Sequence, residues 1–418
     1  MDDGGGVAAE SAGATSATGQ DDLVGVTRGR FLVPARLGES RPAELDMIFV
    51  PVDFGLRSHI VYAKFLVCFL ILASVAAPAI AQHKMGEYTV ESELPRLPVL
   101  QQGRTGTCWC FATTSFLETE LQRMHKKPID LSEIYTVRHT IVEKAKNYVA
   151  KKGKAPFGEG GLSHDVIAMA REYGLMPQSA YTGLPEGQRT HNHGKIFREI
   201  KGLIKGFAKG DGQPTPKWVE AASAIVDSHL GATPKTFKVD GRKMTAQQYA
   251  TDYLKIPFND YIEVMSYSYA PFHKNAKLTV RDNWMGYDKY HNVPIDEFME
   301  IFNNALATGY SVAVDIDVSE KTYRPRDGIG LLTEELEKKG AVTQAVRDEM
   351  FKTKKTTDDH LLHIVGVAKK DGKRYYITKD SWGKNHGKLN GYRMLSENYI
   401  RGKVLAFMIH KDGMPKSN

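Results

Sequence analysis

One short stretch, residues 102–112 with the sequence Gln-Gly-Arg-Thr-Gly-Thr-Cys-Trp-Cys-Phe-Ala, constrains the fold of this chain more than any other. Two glycines make its first half a turn-forming loop, because glycine adopts backbone conformations that are closed to other residues. Apolar residues then recur at helical spacing: Trp109, Ala112, Phe116, Leu117, Leu121 and Met124. The pattern predicts a helix that begins at or beside Cys108.

A cysteine in that place has the chemistry of a nucleophile. Unpaired amide groups and the helix dipole at a helix N-terminus favour the thiolate of Cys108, which is the nucleophilic form. Gln102 lies earlier in the same loop. Its side-chain amide and the Cys108 backbone amide are candidates to hold a developing oxyanion. The alternative is that Cys108 is simply a small buried residue, as unpaired cysteines often are.

A second motif, far downstream, supplies the partners that such a nucleophile needs. Strands are predicted at residues 359–367 and 374–383, and the Asp371-Gly372 dipeptide between them is typical of a two-residue hairpin turn. His360 and His363 are three positions apart in the first strand, so they face opposite sides of the sheet. Only one of them can therefore face the cysteine.

Together these motifs resemble those of the papain-like cysteine peptidases. The pattern Gln-x-x-x-Gly-x-Cys-Trp-x-Phe-Ala is similar to the active-site signature of that family, and the Thr-Gly-Thr form of the loop is closer to its bleomycin hydrolase and aminopeptidase C branch. The resemblance implies Cys108 as the nucleophile and Gln102 as an oxyanion-hole donor. It implies His360 as the catalytic histidine, because the family places that residue six positions before the glycine of Val-Gly.

The sequence departs from the family at one functional position. Where the family carries Asn in Lys-Asn-Ser-Trp-Gly, this chain has Asp380. A carboxylate can accept the imidazole N–H of His360, and its charge favours the imidazolium and hence the thiolate–imidazolium pair. We therefore expect peptidase activity with a shifted pH profile. Trp382 is expected to shield the hydrogen bond between His360 and Asp380 from water.

The segment around Gly160-Gly161 contains candidates for binding substrate. It precedes a predicted helix at 162–173, and the order resembles the papain-family segment whose second glycine binds the substrate backbone. That resemblance implies Gly161 as a substrate-binding residue. Gly160, beside it, and Trp382 are the other candidates to bind substrate. Glycine permits close approach of an extended peptide. The alternative is a simple turn before a helix.

The resemblance also implies the fold. We expect an α+β, papain-like architecture in which a helical left sub-domain carries the nucleophile and an antiparallel β-barrel-like right sub-domain carries His360. A chain of 418 residues is long enough for two such sub-domains. The expected boundaries are 82–184 for the left sub-domain, 294–418 for the right, and 185–293 for an insertion with helices near 196–207 and 216–230 and loops from 258 to 293.

The N-terminal region predicts a leader. Residues 1–59 are expected to be disordered or a misassigned leader, since the first twenty are rich in Gly, Ala, Ser and Asp. Lys64, an apolar run at 65–75 and the ending Ala79-Ile80-Ala81 then indicate a signal peptide at 60–81, with translation beginning near Val61 and cleavage before Gln82. The mature protein would be secreted or periplasmic. An uncleaved membrane anchor is the alternative, because the uncharged span at 65–81 is at the lower limit for crossing a bilayer.

Composition and the remaining motifs point away from other classes. With 42% hydrophobic and 25% charged residues the chain is ordinary for a globular protein, and its lysine pairs are scattered, so no nucleic-acid partner is expected. His191 and His193 lack further ligands at metal-binding spacing, and Asp315-x-Asp317 lacks the glycine of a calcium loop. We expect no metal and no cofactor. Cys110 is interpreted as core packing.

The expected function is that of a thiol peptidase acting on peptide substrates through a Cys-His-Asp arrangement and an acyl-enzyme thioester. The resemblance favours an aminopeptidase, and it implies a homo-oligomer as an open expectation, because relatives in this branch are often hexamers. A secreted papain-like endopeptidase is one alternative. Another, from a different class, is a non-catalytic papain-like scaffold that binds peptides, for which Asp380 is the supporting feature.

Overall fold

This computed structural model describes residues 83–210 and 215–416. Helices dominate the first half of this part of the chain, and strands dominate the second half. The α-helices of these residues are α1 (Cys108–His125), α2 (Glu133–Ala150), α3 (Ser163–Tyr173), α4 (Gly194–Phe207), α5 (Pro216–Leu230), α6 (Ala246–Gln248, continued by a π-helical turn), α7 (Ile295–Ala307), α8 (Glu334–Lys338), α9 (Gln344–Lys352) and α10 (Glu397–Lys403). The strands are β1 (Lys84–Met85), β2 (Tyr88–Glu93), β3 (Phe237–Val239), β4 (Arg242–Met244), β5 (Tyr261–Met265), β6 (Lys274–Ala276), β7 (Tyr290–Asn292), β8 (Val312–Ile316), β9 (Tyr323–Arg324), β10 (Ile329–Gly330), β11 (His360–Lys370), β12 (Lys373–Lys379), β13 (Tyr392–Ser396) and β14 (Val404–His410).

One large sheet organises the second half of the chain. Its strands follow the order β6-β7-β5-β14-β8-β11-β12-β13-β10-β9, with β2 attached to β11 and β1 to β2. Most neighbours are antiparallel, but β5 with β7 and β10 with β13 are parallel. Among the described residues this path does not close on itself. The mixed α and β content is as expected, whereas the antiparallel, barrel-like detail is not confirmed, because β5 adds to the free side of β14 and extends the sheet outward.

The region interpreted as an insertion contributes to this sheet. The sequence predicts helices at 196–207 and 216–230, and the structure has α4 and α5 there. It predicts loops from 258 to 293, but β5 lies within that range and pairs with β14, placing Val264 opposite Phe407. The strand was missed because it is only five residues long and is surrounded by Tyr, Asn and Pro, which weaken the local pattern. The proposed sub-domain boundaries stay predictions.

The predictions of a helix at Cys108 and of a hairpin turn at Asp371-Gly372 are confirmed. Helix α1 begins at Cys108, and the Ser132 hydroxyl caps α2 by accepting a hydrogen bond from the Tyr135 amide at 3.1 Å. Asp371 and Gly372 have φ of 51° and 73°, the left-handed conformations that a tight hairpin turn between β11 and β12 requires. The hairpin therefore sets the register from Lys370 opposite Lys373 to Gly366 opposite Ile377, and an irregularity between Ile364 and Gly366 then shifts the pairing by one residue.

Helix α1 is buried on every side along its first 14 residues except at Cys108 itself. One side packs into the helical core with α2 and α3, and the other lies against β11. The Ser115 hydroxyl is 2.9 Å from His363 Nδ1, and the Phe116 ring meets the His363 ring edge-on with centroids 6.3 Å apart. These contacts bring the start of α1 next to the start of β11.

No helix within 83–210 or 215–416 has the length and apolar character needed to cross a bilayer. The predicted leader at 1–59 and the signal segment at 60–81 lie outside the described residues.

Candidate active site

The thiol of Cys108 lies at the first position of α1 and is partly exposed. The backbone of the preceding residue, Thr107, accepts the first intrahelical hydrogen bonds, from the amides of Cys110 at 3.0 Å and Phe111 at 3.2 Å. The amides of Cys108 and Trp109 at the helix start therefore have no intrahelical acceptor. Such free donors, with the positive end of the helix dipole, stabilise negative charge beside the sulfur. Cys110 is fully buried, and burial raises the pKa of its thiol well above the ordinary value, which fits its interpretation as a core residue.

His360 opens β11 and is 4% exposed. Its Nε2 is 2.9 Å from Asp380 Oδ1, so Nδ1 is the ring nitrogen left to exchange a proton with a thiol. The Trp382 ring lies over this pair, with its centroid 4.9 Å from that of the imidazole. Burial alone would lower the pKa of His360, but the negative charges of Cys108 and Asp380 outweigh it and raise the pKa to about 10. The surroundings therefore favour the imidazolium form of His360.

Asp380, at the end of β12, is a buried carboxylate that uses both oxygens. Its Oδ1 accepts from His360 and also from the Ser381 amide at 2.7 Å, whereas its Oδ2 accepts from the Arg393 guanidinium at 2.9 Å. Burial would raise the pKa of Asp380, but the charges of His360 and Arg393 hold it below the ordinary value. The carboxylate is therefore ionised and fixed in orientation.

Arg393 was missed by the sequence reasoning. It lies on β13 and is fully buried, its neighbours on that strand being apolar or aromatic. A signal was present: an arginine inside a buried strand needs a counter-ion, and the carboxylate at position 380, where the family carries an amide, needs a cation. The two residues are 13 positions apart in the sequence, and the pairing of β12 with the next strand, β13, brings them together.

The second histidine of β11 lies against the body of α1, at Ser115, about two helical turns after Cys108. His363 is buried against α1 through Ser115, whose hydroxyl also accepts from Lys379 Nζ at 2.8 Å. Burial and then the Lys379 charge lower the pKa of His363 well below its ordinary value, so the ring is neutral. His363 is a structural residue of the helix–sheet contact.

Gln102 lies in the same loop as Cys108 and is 7% exposed. Its Oε1 accepts from the Ser381 hydroxyl at 2.5 Å, and its Nε2 donates to the Thr105 carbonyl at 2.7 Å. The backbone amide of Gln102 also donates to the Ser381 carbonyl at 2.8 Å. These bonds tie the loop of the nucleophile to the segment that carries Asp380 and Trp382. One of the two Nε2 protons is used within the loop, which leaves the other for a ligand.

Packing leaves little room for a side chain at Gly160 or Gly161. A Cβ on Gly160 would lie 1.7 Å from Asp282 Oδ2, and one on Gly161 would lie 2.6 Å from Asp165 Oδ2 and 3.0 Å from the Trp109 ring. Close packing therefore accounts for both glycines without a ligand. A substrate-binding role for either residue stays a prediction.

The segment at 190–192, within the region interpreted as an insertion, braces the loop of the nucleophile. The Arg104 amide donates to the His191 carbonyl at 2.8 Å, and Gly103 packs directly against Thr190 and His191. The rings of His191 and His193 have centroids 5.7 Å apart. No group of three potential metal ligands comes together within the described ranges.

The C-terminal part of the chain, residues 231–418, matches the model of the Peptidase C1-like family. Aminopeptidase G from Lactobacillus delbrueckii subsp. lactis is 23% identical over 368 residues, covering 78% of this chain and 83% of that protein. Aminopeptidase C from Lactococcus lactis subsp. cremoris is 22% identical over 367 residues, covering 77% and 82%. Aminopeptidase E from Lactobacillus helveticus is 24% identical over 377 residues, covering 77% and 84%.

A similar fold is found in a solved structure, that of PepW from Lactobacillus rhamnosis HN001, determined as its selenomethionine derivative. The TM-score is 0.62 at 19% identity, over 87% of this chain and 93% of PepW. The likeness of fold thus extends well beyond the part that the family model matches.

We expect His360 to keep its ring proton up to about pH 10, because Cys108 and Asp380 raise its pKa to that value. NMR titration of the histidine rings measures this directly. In Cys108→Ala the pKa of His360 should fall, since one of the two anions is gone. His363 is an internal control that should stay neutral in both proteins. Titration of His360 near its ordinary value of 6.5 in the unaltered protein would contradict this electrostatic account.

Proposed function

We propose that the chain is a papain-like cysteine peptidase of the bleomycin hydrolase and aminopeptidase C branch, and that it acts as a thiol aminopeptidase whose reaction is carried by Cys108, His360 and Asp380. The observation that supports these roles is the buried imidazole held between two anions: His360 Nε2 bonded to Asp380 at 2.9 Å and its pKa raised by both Cys108 and Asp380. This is the charge arrangement of a thiolate–imidazolium pair.

In the proposed mechanism His360 takes the proton of Cys108, and the thiolate attacks the carbonyl carbon of the first peptide bond. The C=O electron pair moves to oxygen, and the Gln102 side-chain amide and the Cys108 backbone amide donate to that oxyanion. His360 then gives its proton to the leaving amine as the C–N bond breaks, which leaves a thioester on Cys108. Water, deprotonated by His360, hydrolyses the thioester and releases the N-terminal residue and the free thiol.

The surroundings support each step. The hydrogen bond to Asp380 holds the His360 ring so that its other nitrogen faces the sulfur, and Trp382 covers that bond from solvent. Gln102 is fixed by Ser381 and Thr105, so its amide is preorganised and pays little entropy when an oxyanion forms. The specificity for a free N-terminus is supported by the similarity to aminopeptidases G, C and E.

The first test compares two fluorogenic peptides of one sequence, one with a free and one with a blocked N-terminus. We expect cleavage of the free form alone, lost in Cys108→Ala. Cys110→Ala is the matched control, because that thiol is buried in the core and should leave turnover unchanged. Cleavage of both peptides would indicate an endopeptidase. Absence of cysteine-dependent cleavage under reducing conditions would favour the peptide-binding scaffold.

The oxyanion role is tested by Gln102→Ala. Loss of one preorganised donor should lower kcat by about 100- to 1,000-fold, with KM little changed, because the donor acts on charge that exists only in the transition state. The neighbouring Gln101, whose side chain is exposed, offers a matched control in Gln101→Ala. Equal kcat values for the two variants would remove Gln102 from the mechanism.

We also propose that residues 60–81 direct export and are removed before Gln82, giving a secreted or periplasmic enzyme. Support comes from the sequence alone, through the basic flank, the apolar run and the Ala-Ile-Ala ending. N-terminal sequencing of the protein purified from its native source should yield Gln82 as the first residue. A native protein that retains residues 60–81 and sediments with membranes would show an anchor in place of a cleaved signal.

A further inference from the structure

The carboxylate at position 380 serves two buried partners at once. One oxygen accepts from His360 and the other, on the opposite side, accepts from Arg393, both at 2.9 Å. A carboxylate can do this because it presents two acceptor atoms, whereas a side-chain amide presents one acceptor and one donor. An asparagine at this position would aim its NH₂ group either at the Arg393 guanidinium or at the N–H of His360. In this chain the amide that the family uses cannot satisfy both neighbours.

Arg393 is itself held in a fixed orientation. The side chain is fully buried, and its NH1 donates to the backbone carbonyls of Tyr392 at 2.8 Å and His386 at 3.2 Å. Its NH2 donates to His386 Nδ1 at 2.8 Å as well as to Asp380. Burial and then the Arg393 charge lower the pKa of His386, so that ring is a neutral acceptor. The guanidinium also lies 5.9 Å from the centroid of the Trp382 ring.

We propose that Arg393 is a positioning residue for the reaction, acting on His360 through Asp380. The inference rests on the proposed function, and it adds a fourth side chain to the Cys-His-Asp arrangement. In this interpretation Asp380 and Arg393 together replace the neutral amide of the family: the pair carries no net charge, yet it still offers one acceptor oxygen to the imidazole. Arg393 fixes the plane of that carboxylate and keeps it ionised in a buried setting.

The electrostatic consequence has a definite sign. The charged or titratable groups around Asp380 are His360 on β11, Arg393 on β13, Tyr323 on β9 and His386 in the loop before β13. Both Asp380 and Arg393 influence the pKa of Tyr323 and that of His386. Burial raises the pKa of Asp380, and Arg393 is one of the two cations that lower it. Without Arg393 the pKa of Asp380 rises. Activity that needs the ionised carboxylate is then lost at a higher pH as the solution is acidified.

The experiment is a double-mutant cycle on the full chain with Asp380→Asn, Arg393→Leu and the combined variant, each checked for folding by thermal unfolding. We expect either single change to lower kcat by about 10- to 100-fold, the usual cost of losing a group that orients a functional side chain. The acidic limb of the pH–kcat profile should move to higher pH in Arg393→Leu. The double variant should be more active than Asp380→Asn alone, because its amide has no guanidinium beside it and can give its oxygen to His360.

Two lysine variants separate positioning from simple core support. Arg393→Lys keeps a cation for Asp380 and should restore part of the kcat and the wild-type acidic limb. Arg347 is a matched control: it is equally buried but donates only to the backbone carbonyls of Ser266, Arg401 and Leu405. Arg347→Lys should lower the unfolding temperature without moving the acidic limb.

Some outcomes would overturn the inference. One is a folded Arg393→Leu protein that keeps the wild-type kcat and pH profile. Another is a double variant whose loss of kcat equals the product of the losses in Asp380→Asn and Arg393→Leu, because the two residues would then act independently. A wild-type protein that cleaves no peptide would instead overturn the proposed function. NMR titration of His360 needs no turnover, and an unchanged titration curve in Arg393→Leu would then count against the coupling itself.

Discussion

The packing of α1 against β11 is the contact on which the site depends. It is a buried seam with one polar connection, in which the Ser115 hydroxyl bonds to His363 and receives a hydrogen bond from Lys379. Polar groups in such a seam are costly to leave unpaired, so the register between helix and strand is strongly determined. Cys108 lies about two helical turns before Ser115, and His360 opens the strand that carries His363. The contact between Ser115 and His363 therefore also fixes where Cys108 lies relative to His360.

The same burial sets the electrostatics of the site. A low-dielectric environment opposes every charge on its own, and for His360 and Asp380 burial works against the charged form. What maintains the charges is their arrangement, in which the Asp380 carboxylate lies between the His360 imidazolium and the Arg393 guanidinium. Each ion is stabilised by the next, which explains why a carboxylate can stand where the family carries an amide, provided that a buried cation lies behind it. Asp380 in place of the family's asparagine and the buried Arg393 behind it therefore belong together.

Prediction from sequence succeeded where the signal was local. The helix at Cys108 and the Asp371-Gly372 hairpin each follow from a few adjacent residues whose backbone preferences agree. Strand alternation showed that only one of His360 and His363 can face the cysteine, and the family resemblance selected His360. Prediction from sequence failed for β5, whose five residues have no strong pattern and form a strand only because β14 offers an edge to pair with. It also failed for Arg393, because an ion pair between residues on neighbouring strands leaves no periodic trace in the sequence.

The sequence by itself determined which residues have the chemistry of the site and the order in which they come. Those properties belong to side chains and to short-range backbone preference, which are written residue by residue. Only the tertiary structure decided that the sheet is open and mixed, that residues 190–192 brace the loop of the nucleophile, and that Arg393 lies behind Asp380. These features arise from contacts between distant segments, whose free energy depends on which surfaces meet and on how completely water leaves them.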